Sequence, residues 1–394
     1  MSITVIGYDG SPLAPEARRA LASATLVAGG ARHLAAVEAP EEARRAPMGD
    51  VAAAIDAVAG HDGDSVVLAS GDPGFFGIVR GLRERGLTPA VLPARSSVAL
   101  AFARLGLPWD DAVVVSAHGR DLRRAVNVCR AHPKVAVFTG PGGGPAELAR
   151  ALEDVPRTFV VAENLGGDER VTRCDHARAR AEGWRDPNVV LVLDESRPVN
   201  PATWVAGRQP GPATWALPEH AFAHRDSVIT KAEVRALVLA RLGPRLGDLV
   251  WDVGAGSGSV AVECARFGAA AVAVERDAEA CARIGRNAEA HDVEVGVVHG
   301  EAPSALATLP DPDAVFVGGG GPRVVEACAA RDPRAVVVGL AAVERVGATR
   351  EALEGCGYRV DGIQLQASRL APLPDGTHRL APVNPVFVLC GSRP

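Results

Sequence analysis

The sequence predicts an α/β protein built from two domains. Short apolar runs alternate with helix-like segments through both halves of the 394-residue chain, which is typical of βα units. Several of these runs end in glycine-rich turns, the place where open α/β sheets bind ligands. Periodicity lapses across residues 197–225, which contain five prolines. We therefore expect domains at residues 1–196 and 226–394, joined by a Pro-rich linker at 197–225.

The first half carries a series of short apolar runs that predict strands. These runs lie at residues 3–6, 65–70, 88–92, 112–116, 135–139, 158–162 and 188–193. Ser96 is placed to cap a helix that continues through Leu105. Glycine-rich turns such as 71–77 and 140–145 follow the strands, although such turns taken alone are more often plain loops than sites.

The second half predicts a doubly wound sheet closed by a hairpin of late strands. Thr230 and Glu233 have the spacing of a capping box in front of an amphipathic helix. The strands are expected around residues 249–253, 270–275, 293–298, 314–317, 335–339, 358–366 and 384–390, and further helices around 277–291 and 349–354.

The charge balance gives no support for an anionic macromolecular partner. The net charge is −5 and the isoelectric point is about 6.1. No overall field therefore favours nucleic acid or an anionic membrane. All basic residues except Lys134 and Lys231 are arginines. Arginine suits bidentate recognition of carboxylates, although a nucleotide bias in the gene explains the same excess.

The cysteines and the N-terminus predict a cytoplasmic protein. The seven cysteines are scattered without a C-x-x-C pair, as expected of buried thiols in a reducing compartment. The N-terminus lacks the basic and apolar regions of a signal peptide, and no apolar stretch reaches the length of a membrane span.

A glycine-rich turn in the second half is the most informative part of the sequence. Glycine stands at 254, 256 and 258, directly after an apolar run that contains Asp252. A dinucleotide-binding turn would need glycine at position 259, where Ser259 stands instead. Glycines at these positions let the backbone bend sharply and approach a ligand closely, beside the positive end of the following helix.

Two acids flank this turn and indicate which ligand it takes. Asp252 would repel a pyrophosphate but could attract the ammonium and sulfonium groups of S-adenosylmethionine. Glu275 ends the next strand about twenty residues past the first glycine, where a carboxylate can accept from both ribose hydroxyls. The sequence therefore predicts an S-adenosylmethionine site over residues 249–275. The turn residues expected to contact the cofactor are Gly254, Ala255, Gly256, Ser257 and Gly258.

No catalytic or metal-binding group stands out in the sequence. His220 and His224 could share one helical face, but no third ligand has zinc spacing. Glu301 and Lys231 lie near the expected cofactor turn, yet a lysine at a helix start and a loop carboxylate both have plain structural explanations. No catalytic residue is assigned, and no metal is expected.

Motifs in the first half match a known family. The motifs are Arg32-His33-Leu34, the run from Ser70 to Gly77, the run from Pro93 to Ser97 and the run from Ala162 to Gly166. On these motifs, residues 3–195 resemble the tetrapyrrole (corrin/porphyrin) methylase domain in its cobalamin-pathway form. One loop departs from the family pattern. Gly7-Tyr8-Asp9-Gly10 is shorter than the usual Gly-x-Gly-x-x-Gly and lacks its middle glycine.

Motifs in the second half match the partner domain of the same pathway. The motifs are the box from Ile229 to Ala236, the turn from Trp251 to Ser259, the run from Val317 to Gly320 and Asn384-Pro385-Val386. On these motifs, residues 226–392 resemble a Rossmann-like methyltransferase domain. Fused in this order, the two domains resemble the decarboxylating precorrin-6Y C5,15-methyltransferase family.

This resemblance implies an S-adenosylmethionine site in each domain, two in all. It implies methyl transfer to the meso carbons 5 and 15 of a polyanionic tetrapyrrole, with loss of carbon dioxide from an acetate side chain. The C-terminal domain would act at carbon 15 and decarboxylate, and the chain would pair into a homo-oligomer. Carried over by position, the cofactor residues are Thr230, Gly254, Ala255, Gly256, Ser257, Gly258, Glu275 and Ala302 in the second half and Gly71, Asp72, Pro73, Ser96 and Ser97 in the first.

Two other functions stay open on the residues alone. A nucleic-acid or protein methyltransferase would share the cofactor turn. The acidic balance and Gly318-Gly319-Gly320, in place of an Asn-Pro-Pro-Tyr strand end, argue against that function. A non-catalytic protein that binds S-adenosylmethionine would need only one ligand-type sheet, whereas two are expected here.

Overall fold

The computed structural model describes residues 2–197, 206, 211–225 and 229–393. The chain divides into two compact units. The first contains residues 1–120 and 134–207, and the second contains residues 121–133 and 208–394. Residues 198–205 and 207–210 of the expected linker lie outside the described residues. The boundaries at 196 and 226 therefore stay predictions.

The first unit begins with a five-stranded parallel sheet of order β3-β2-β4-β1-β5. Its strands are β1 (Ile3–Tyr8), β2 (Leu26–Gly29), β3 (Arg44–Pro47), β4 (Ser65–Ser70) and β5 (Ala90–Leu92). Its helices are α1 (Pro15–Ala22), α2 (Ala31–Ala36), α3 (Val51–Ala59), α4 (Val79–Glu84) and α5 (Ser97–Leu105). The predicted cap is confirmed, because the Ser96 hydroxyl accepts a hydrogen bond from the Ala99 amide.

A second five-stranded sheet of the first unit has the order β6-β7-β10-β8-β9 and is antiparallel except between β6 and β7. Its strands are β6 (Val113–Ser116), β7 (Lys134–Phe138), β8 (Thr158–Glu163), β9 (Arg170–Cys174) and β10 (Asn188–Leu193). Helices α7 (Pro145–Ala151) and α8 (His176–Ala181) belong to the same unit, whereas helix α6 (Leu122–Ala131), which precedes β7 in the chain, belongs to the second unit.

The second unit is built on a seven-stranded sheet of order β13-β12-β11-β14-β15-β19-β16. Its strands are β11 (Leu249–Val253), β12 (Ala270–Glu275), β13 (Gly296–His299), β14 (Ala314–Val317), β15 (Ala335–Leu340), β16 (Arg359–Leu365) and β19 (Val386–Ser392). Its helices are α9 (Ala232–Leu242), α10 (Ser259–Arg266), α11 (Ala278–Ala290), α12 (Pro322–Ala329) and α13 (Glu344–Gly355). β11 to β15 are parallel, and β19 is antiparallel to both β15 and β16. The predicted doubly wound sheet with late antiparallel strands is confirmed.

The sheet of the second unit buries both of its faces. Along β11, Trp251 joins one apolar cluster and Val250 joins the cluster on the opposite face. Val315 and Phe316 of β14 divide in the same way. Side chains alternate between the faces of a strand, so a strand covered by helices on both sides reads as a continuous apolar run. This explains why the sequence pattern predicts the central strands well.

Several strands were not predicted, including the buried β2, and for three of them the composition explains why. β3 reads Arg-Arg-Ala-Pro and lies at a sheet edge, where charged residues and proline are tolerated. The hairpin of β17 (Ser368–Pro372) and β18 (His378–Pro382) carries mostly exposed side chains. Neither segment offers the apolar pattern on which the predictions depend.

Two further observations concern the state of the cysteines and the length of the apolar helices. All seven cysteines are free; Cys129, Cys174, Cys264 and Cys328 are buried and the other three are half-buried. Among the described residues, no helix combines the length and the apolar character that crossing a membrane requires.

Candidate functional site

The glycine turn of the second unit lies between β11 and α10. Gly254, Gly256 and Gly258 have φ angles of 72°, 58° and 70°, in the left-handed region that favours glycine. A Cβ on Gly258 would lie 2.7 Å from Ile284, and one on Gly254 would lie 3.0 Å from the Gly319 amide nitrogen. The spacing recognised in the sequence therefore corresponds to a bend that side chains at these positions would disturb.

Glu275 meets this turn from the end of β12. Its Oε2 accepts a hydrogen bond of 2.9 Å from the Gly256 amide, and its Oε1 accepts from the amides of Arg276 and Asp277 at 2.9 and 3.0 Å. Three backbone donors thus fix the carboxylate beside the turn. The structure brings together the two features that the sequence places about twenty residues apart.

Asp252 lies buried behind the turn. Its Oδ2 accepts a hydrogen bond of 3.0 Å from the Ala261 amide in α10, while Oδ1 has no partner among the described residues. Burial raises the pKa of Asp252 to about 7; the nearby Glu275 adds to the rise, and the bond from Ala261 opposes it. The carboxylate therefore has a negative charge that its surroundings compensate poorly.

The buried Asp252 makes the stability of the second unit dependent on pH. Its pKa is raised in the fold relative to about 4 in an unfolded chain, so its stabilising contribution is complete below pH 4 and is lost as pH rises to about 7. Between pH 5 and 8, we expect the difference in unfolding free energy between Asp252→Asn and the wild type to move by about 2–3 kcal/mol in favour of the variant. Denaturant unfolding at both pH values measures this, and a difference that does not change with pH contradicts it.

Thr230 lies beside a buried arginine, and its predicted capping role is wrong. Lys231 is the N-cap of α9 and makes no side-chain cap bond. Glu233 pairs instead with Arg369 of β17, at 2.7 Å. Arg235, fully buried, donates to the Thr230 carbonyl at 2.5 Å. The capping box fails because the helix begins one residue later than the spacing predicts, and its glutamate pairs with an arginine from a distant strand.

Arg235 links several segments around the turn. It also donates to the Leu217 carbonyl, contacts the Ser259 hydroxyl at 3.4 Å and pairs with the buried Glu263 at 3.4 Å. Its guanidinium stacks on Phe222, 4.7 Å from the ring centre. The motif contains this arginine, but nothing in its spacing reveals that the residue is buried.

Two further residues lie on segments that contact the turn or Glu275. Ala302 follows β13 and packs, half-buried, against the core, while the neighbouring Gly300 amide donates to the Glu275 carbonyl at 2.9 Å. Sequence reasoning missed Asn287 of α11. Its side-chain amide donates to the carbonyls of Ser257 and Ala223, at 2.8 and 2.9 Å, and its Oδ1 accepts from the Ala223 amide. The available signal in the sequence was a lone asparagine within an alanine-rich segment that predicts a helix.

In the first unit, glycine loops meet at the carboxyl ends of β1 and β4. Gly71 has a φ of 58°, and its amide donates to the Tyr8 carbonyl at 2.8 Å. A Cβ on Gly71 would lie 3.2 Å from the Cα of Ser96, which caps α5. Asp72 accepts from the Gly74 amide at 2.8 Å. The structure therefore places Gly71, Asp72 and Pro73 on the loop after β4, next to the start of α5, where Ser96 and Ser97 stand.

The shortened first loop lies against these loops. Asp9 pairs with Arg95 at 2.7 Å and accepts from the Ser11 amide. Burial raises the pKa of Asp9, but the bonds from Arg95 and Ser11 outweigh it and lower the pKa to about 2. Gly7 lies so close to Gly71 that a Cβ would overlap the Gly71 carbonyl oxygen. The shorter loop thus keeps a tight backbone contact with the Gly71 turn.

The Gly10→Ala variant is expected to destabilise the first unit by about 2–5 kcal/mol, through an unfavourable φ and overpacking. Gly10 has a φ of 84°, and its Cβ would overlap the Gly166 carbonyl oxygen. Gly119→Ala is the matched control, since Gly119 has a φ of 64° and open space around it. Thermal and denaturant unfolding measure both variants. Equal losses in the two would show that the contact with Gly166 contributes nothing.

Arg32 and His33 of the first-half motif form a cluster with Ser70. Arg32 donates to the Ser70 hydroxyl at 2.6 Å, and His33 Nε2 lies 3.2 Å from the same oxygen. Burial, reinforced by the charge of Arg32, lowers the pKa of His33 to about 4, so the ring is neutral at pH 7. The cluster lies directly before the Gly71 turn.

Comparisons with known proteins find a matching family for each half of the chain. The model of the precorrin methyltransferase domain matches residues 220–387, and that of the tetrapyrrole (corrin/porphyrin) methylases matches residues 8–179. A precorrin-6Y C(5,15)-methyltransferase [decarboxylating] from Sinorhizobium sp is 41% identical over 336 residues, which cover 82% of this chain and 78% of the relative. The chain belongs to the precorrin-6Y C5,15-methyltransferase family.

Two shorter relatives each match about half of this family member. A "Probable cobalt-precorrin-6B C(15)-methyltransferase (decarboxylating)" from Pyrobaculum calidifontis is 37% identical over 187 residues, 45% of this chain and 95% of that protein. A cobalt-precorrin-7 C(5)-methyltransferase from Salmonella typhimurium is 33% identical over 205 residues, 49% of this chain and 99% of that protein. The protein is accordingly a methyltransferase, and methyltransferases of this family use S-adenosylmethionine.

The remaining candidate groups of this family member have plain surroundings. Glu301 is exposed and lies 3.8 Å from Arg276, and Lys231 precedes α9. His220 lies in a three-residue 3₁₀ turn, whereas His224 lies beyond it, so the shared helical face is wrong. In the part of the chain that the structure describes, no group of three His, Cys, Asp or Glu side chains could hold a metal ion.

Proposed function

We propose that this protein transfers methyl groups from S-adenosylmethionine to carbons 5 and 15 of precorrin-6Y and removes carbon dioxide from an acetate side chain, in cobalamin biosynthesis. The observation that carries this proposal is the 41% identity to a relative of that name across both halves of the chain. The geometry of the two glycine-loop sites supports it. No observation favours a nucleic-acid or protein substrate, or a role in binding alone.

The residues of the second unit fit a cationic cofactor. Asp252 keeps a buried oxygen without a hydrogen-bond donor among the described residues, so its charge is available to a positive ligand. Glu275 is held by three backbone donors, and its carboxylate oxygens have lone pairs left for ribose hydroxyls. Thr230, the turn from Gly254 to Gly258 and Ala302 would complete the site. S-adenosylmethionine, when bound, supplies an electrophilic methyl group.

We place the second cofactor site in the first unit. The loops that carry Gly71, Asp72 and Pro73 lie against the start of α5, where Ser96 and Ser97 stand. Glycine at position 71 permits the left-handed φ and the close backbone contact that bring the two segments together. Two sites in one chain agree with a family whose name gives two methylated carbons.

The reaction mainly requires that the protein align the methyl donor with the acceptor carbon. A meso carbon of a reduced tetrapyrrole is already nucleophilic, so no activated serine or cysteine is required. Holding donor and acceptor in a reactive pose can lower the barrier by about 7–11 kcal/mol. The rigid turn, with its carboxylate fixed by Gly256, Arg276 and Asp277, provides such positioning.

The names of the two half-length relatives support the assignment of one reaction to each unit. One is named for carbon 15 with decarboxylation and the other for carbon 5. We assign carbon 15 and decarboxylation to the second unit, and carbon 5 to the first. A polyanionic tetrapyrrole also suits a chain in which nearly all basic residues are arginines. A homo-oligomer and the absence of nucleic-acid binding stay predictions.

The experiment is an incubation of the purified protein with precorrin-6Y and methyl-labelled S-adenosylmethionine under anaerobic conditions. We expect two labelled methyl groups in each tetrapyrrole and one molecule of carbon dioxide released. Calorimetry with S-adenosylhomocysteine should count two binding sites. Label that passes only to RNA or protein would overturn the proposal.

A further inference from the structure

A cavity of about 320 Å³ lies next to the glycine turn of the second unit. It is formed by the loop after β14, the end of β15 and the start of α13. Ligand pockets usually measure roughly 300–1,000 Å³, so this cavity suits a side chain of a large ligand rather than a whole macrocycle. None of the residues proposed for the cofactor sites is among those that line this cavity.

The cavity shares a wall with the turn. The Gly318 amide donates to the Val253 carbonyl at 2.8 Å, and the Gly319 amide nitrogen is 3.0 Å from the Cβ position of Gly254. Both Gly318 and Gly319 also line the cavity. A molecule that reaches into the cavity would therefore extend from the place where the methyl donor is expected.

Two polar residues of α13 line this space, the exposed Arg345 and the buried Thr349. Thr349 lines the cavity and is fully buried, and its hydroxyl has no hydrogen-bond partner among the described residues. Arg345, one helical turn earlier, also lines the cavity and pairs with no carboxylate in the described part of the chain. A buried hydroxyl without a partner is costly, and so it points to a ligand that satisfies it.

The rest of the lining is apolar or glycine. Val317, Val325, Val338 and Leu340 supply aliphatic surface. A cavity with an aliphatic wall, one guanidinium and one hydroxyl donor complements a short alkyl chain that ends in a carboxylate. Tetrapyrroles that carry acetate and propionate groups present this chemistry.

We propose that this cavity binds one carboxylate side chain of the tetrapyrrole, with Arg345 pairing with the carboxylate and Thr349 donating a hydrogen bond to it. This inference rests on the proposed function and deepens it. The bound side chain is one that the reaction leaves intact, because the ion pair with Arg345 stabilises the charge on the carboxylate, and loss of carbon dioxide would have to move that charge into the macrocycle. Arg345 and Thr349 thus position the substrate over the methyl donor and set the specificity for an acidic macrocycle.

The test compares Arg345→Ala, Arg345→Lys, Thr349→Val and Thr349→Ser in the full-length protein. The matched control is Arg350→Ala, since Arg350 lies on the same helix, exposed, and pairs with Glu354 at 3.7 Å. Carbon dioxide release gives KM and kcat for the second unit. Hydrogen exchange of residues 339–355, with precorrin-6Y but no methyl donor, reports local binding without turnover. Calorimetry with S-adenosylhomocysteine reports the cofactor site.

Arg345→Ala is expected to raise KM roughly 10- to 100-fold with kcat within about threefold, and to abolish the substrate-induced protection of 339–355. Thr349→Val should raise KM roughly three- to tenfold, while Arg345→Lys and Thr349→Ser recover part of the loss. Affinity for S-adenosylhomocysteine should stay within about twofold in all variants. If the wild type turns over but Arg345→Ala behaves like Arg350→Ala, this inference is overturned and the proposed function stands. A wild type that releases no carbon dioxide overturns the proposed function.

Discussion

Glu275→Gln is expected to weaken binding of the methyl donor to the second unit by roughly 10- to 100-fold. A hydrogen bond to a charged acceptor contributes about 1.5–3 kcal/mol, and the carboxylate is expected to serve the ribose hydroxyls. The amide also disturbs the turn, because one of its two ends donates where Gly256, Arg276 and Asp277 all donate already. Calorimetry with S-adenosylmethionine measures the change. The proposed site in the first unit provides an internal reference, since its affinity should not change.

Glu279→Gln is the matched control for this prediction. Glu279 lies in the first turn of α11, shortly after Glu275 in the chain, and is exposed. It should leave donor affinity within about twofold of the wild type. If Glu275→Gln and Glu279→Gln gave the same affinity, the assignment of the cofactor site to the end of β12 would be wrong.

Arg235→Met is expected to destabilise the second unit by about 3–5 kcal/mol. Arg235 and Glu263 are both fully buried, and removal of Arg235 leaves the Glu263 carboxylate with only Arg266 and the Leu217 amide as partners in the interior. The carbonyls of Thr230 and Leu217 also lose their donor. Because Thr230 is expected to contact the cofactor, donor affinity should fall as well. Denaturant unfolding followed by circular dichroism measures the stability.

Arg241→Met on the same helix is the control for Arg235. Arg241 pairs with Asp361 at 3.0 Å, and both side chains are largely exposed, so the expected loss is below about 1 kcal/mol. Arg235→Lys keeps the positive charge but lacks the planar guanidinium group. Its loss of stability should lie between those of Arg235→Met and Arg241→Met. Equal stability of Arg235→Met and Arg241→Met would show that Glu263 is stabilised without Arg235, for example through Arg266, which lies 2.9 Å away.

The fold could be predicted where the sequence shows burial directly. β11, β12 and β14 are apolar on both faces, and the predicted strands there agree with the structure to within a residue or two. β3 and the hairpin of β17 and β18 are exposed or charged, so no apolar period marks them. Edge strands are held by backbone pairing to their neighbours, which leaves little trace in the composition.

The site could be predicted where local spacing determines it. The glycines at 254, 256 and 258 and the acid at 275 are local signals, and the structure brings them together. Asn287, Arg345 and Thr349 come from helices that follow later in the chain, and only the sheet topology places them near the turn. Thr230 shows the opposite case, since the local spacing of a capping box is present, but Lys231 is the N-cap and Glu233 makes a long-range pair with Arg369.

The amide of Asn287 has a consequence for cooperativity. One side chain holds the backbone of Ser257 in the turn and of Ala223 in the segment that leads to α9. Withdrawal of that side chain would release both segments together, so local opening of one includes the free energy of opening the other. The turn and the leading segment therefore behave as one opening unit, although 34 positions separate the two backbone groups along the chain.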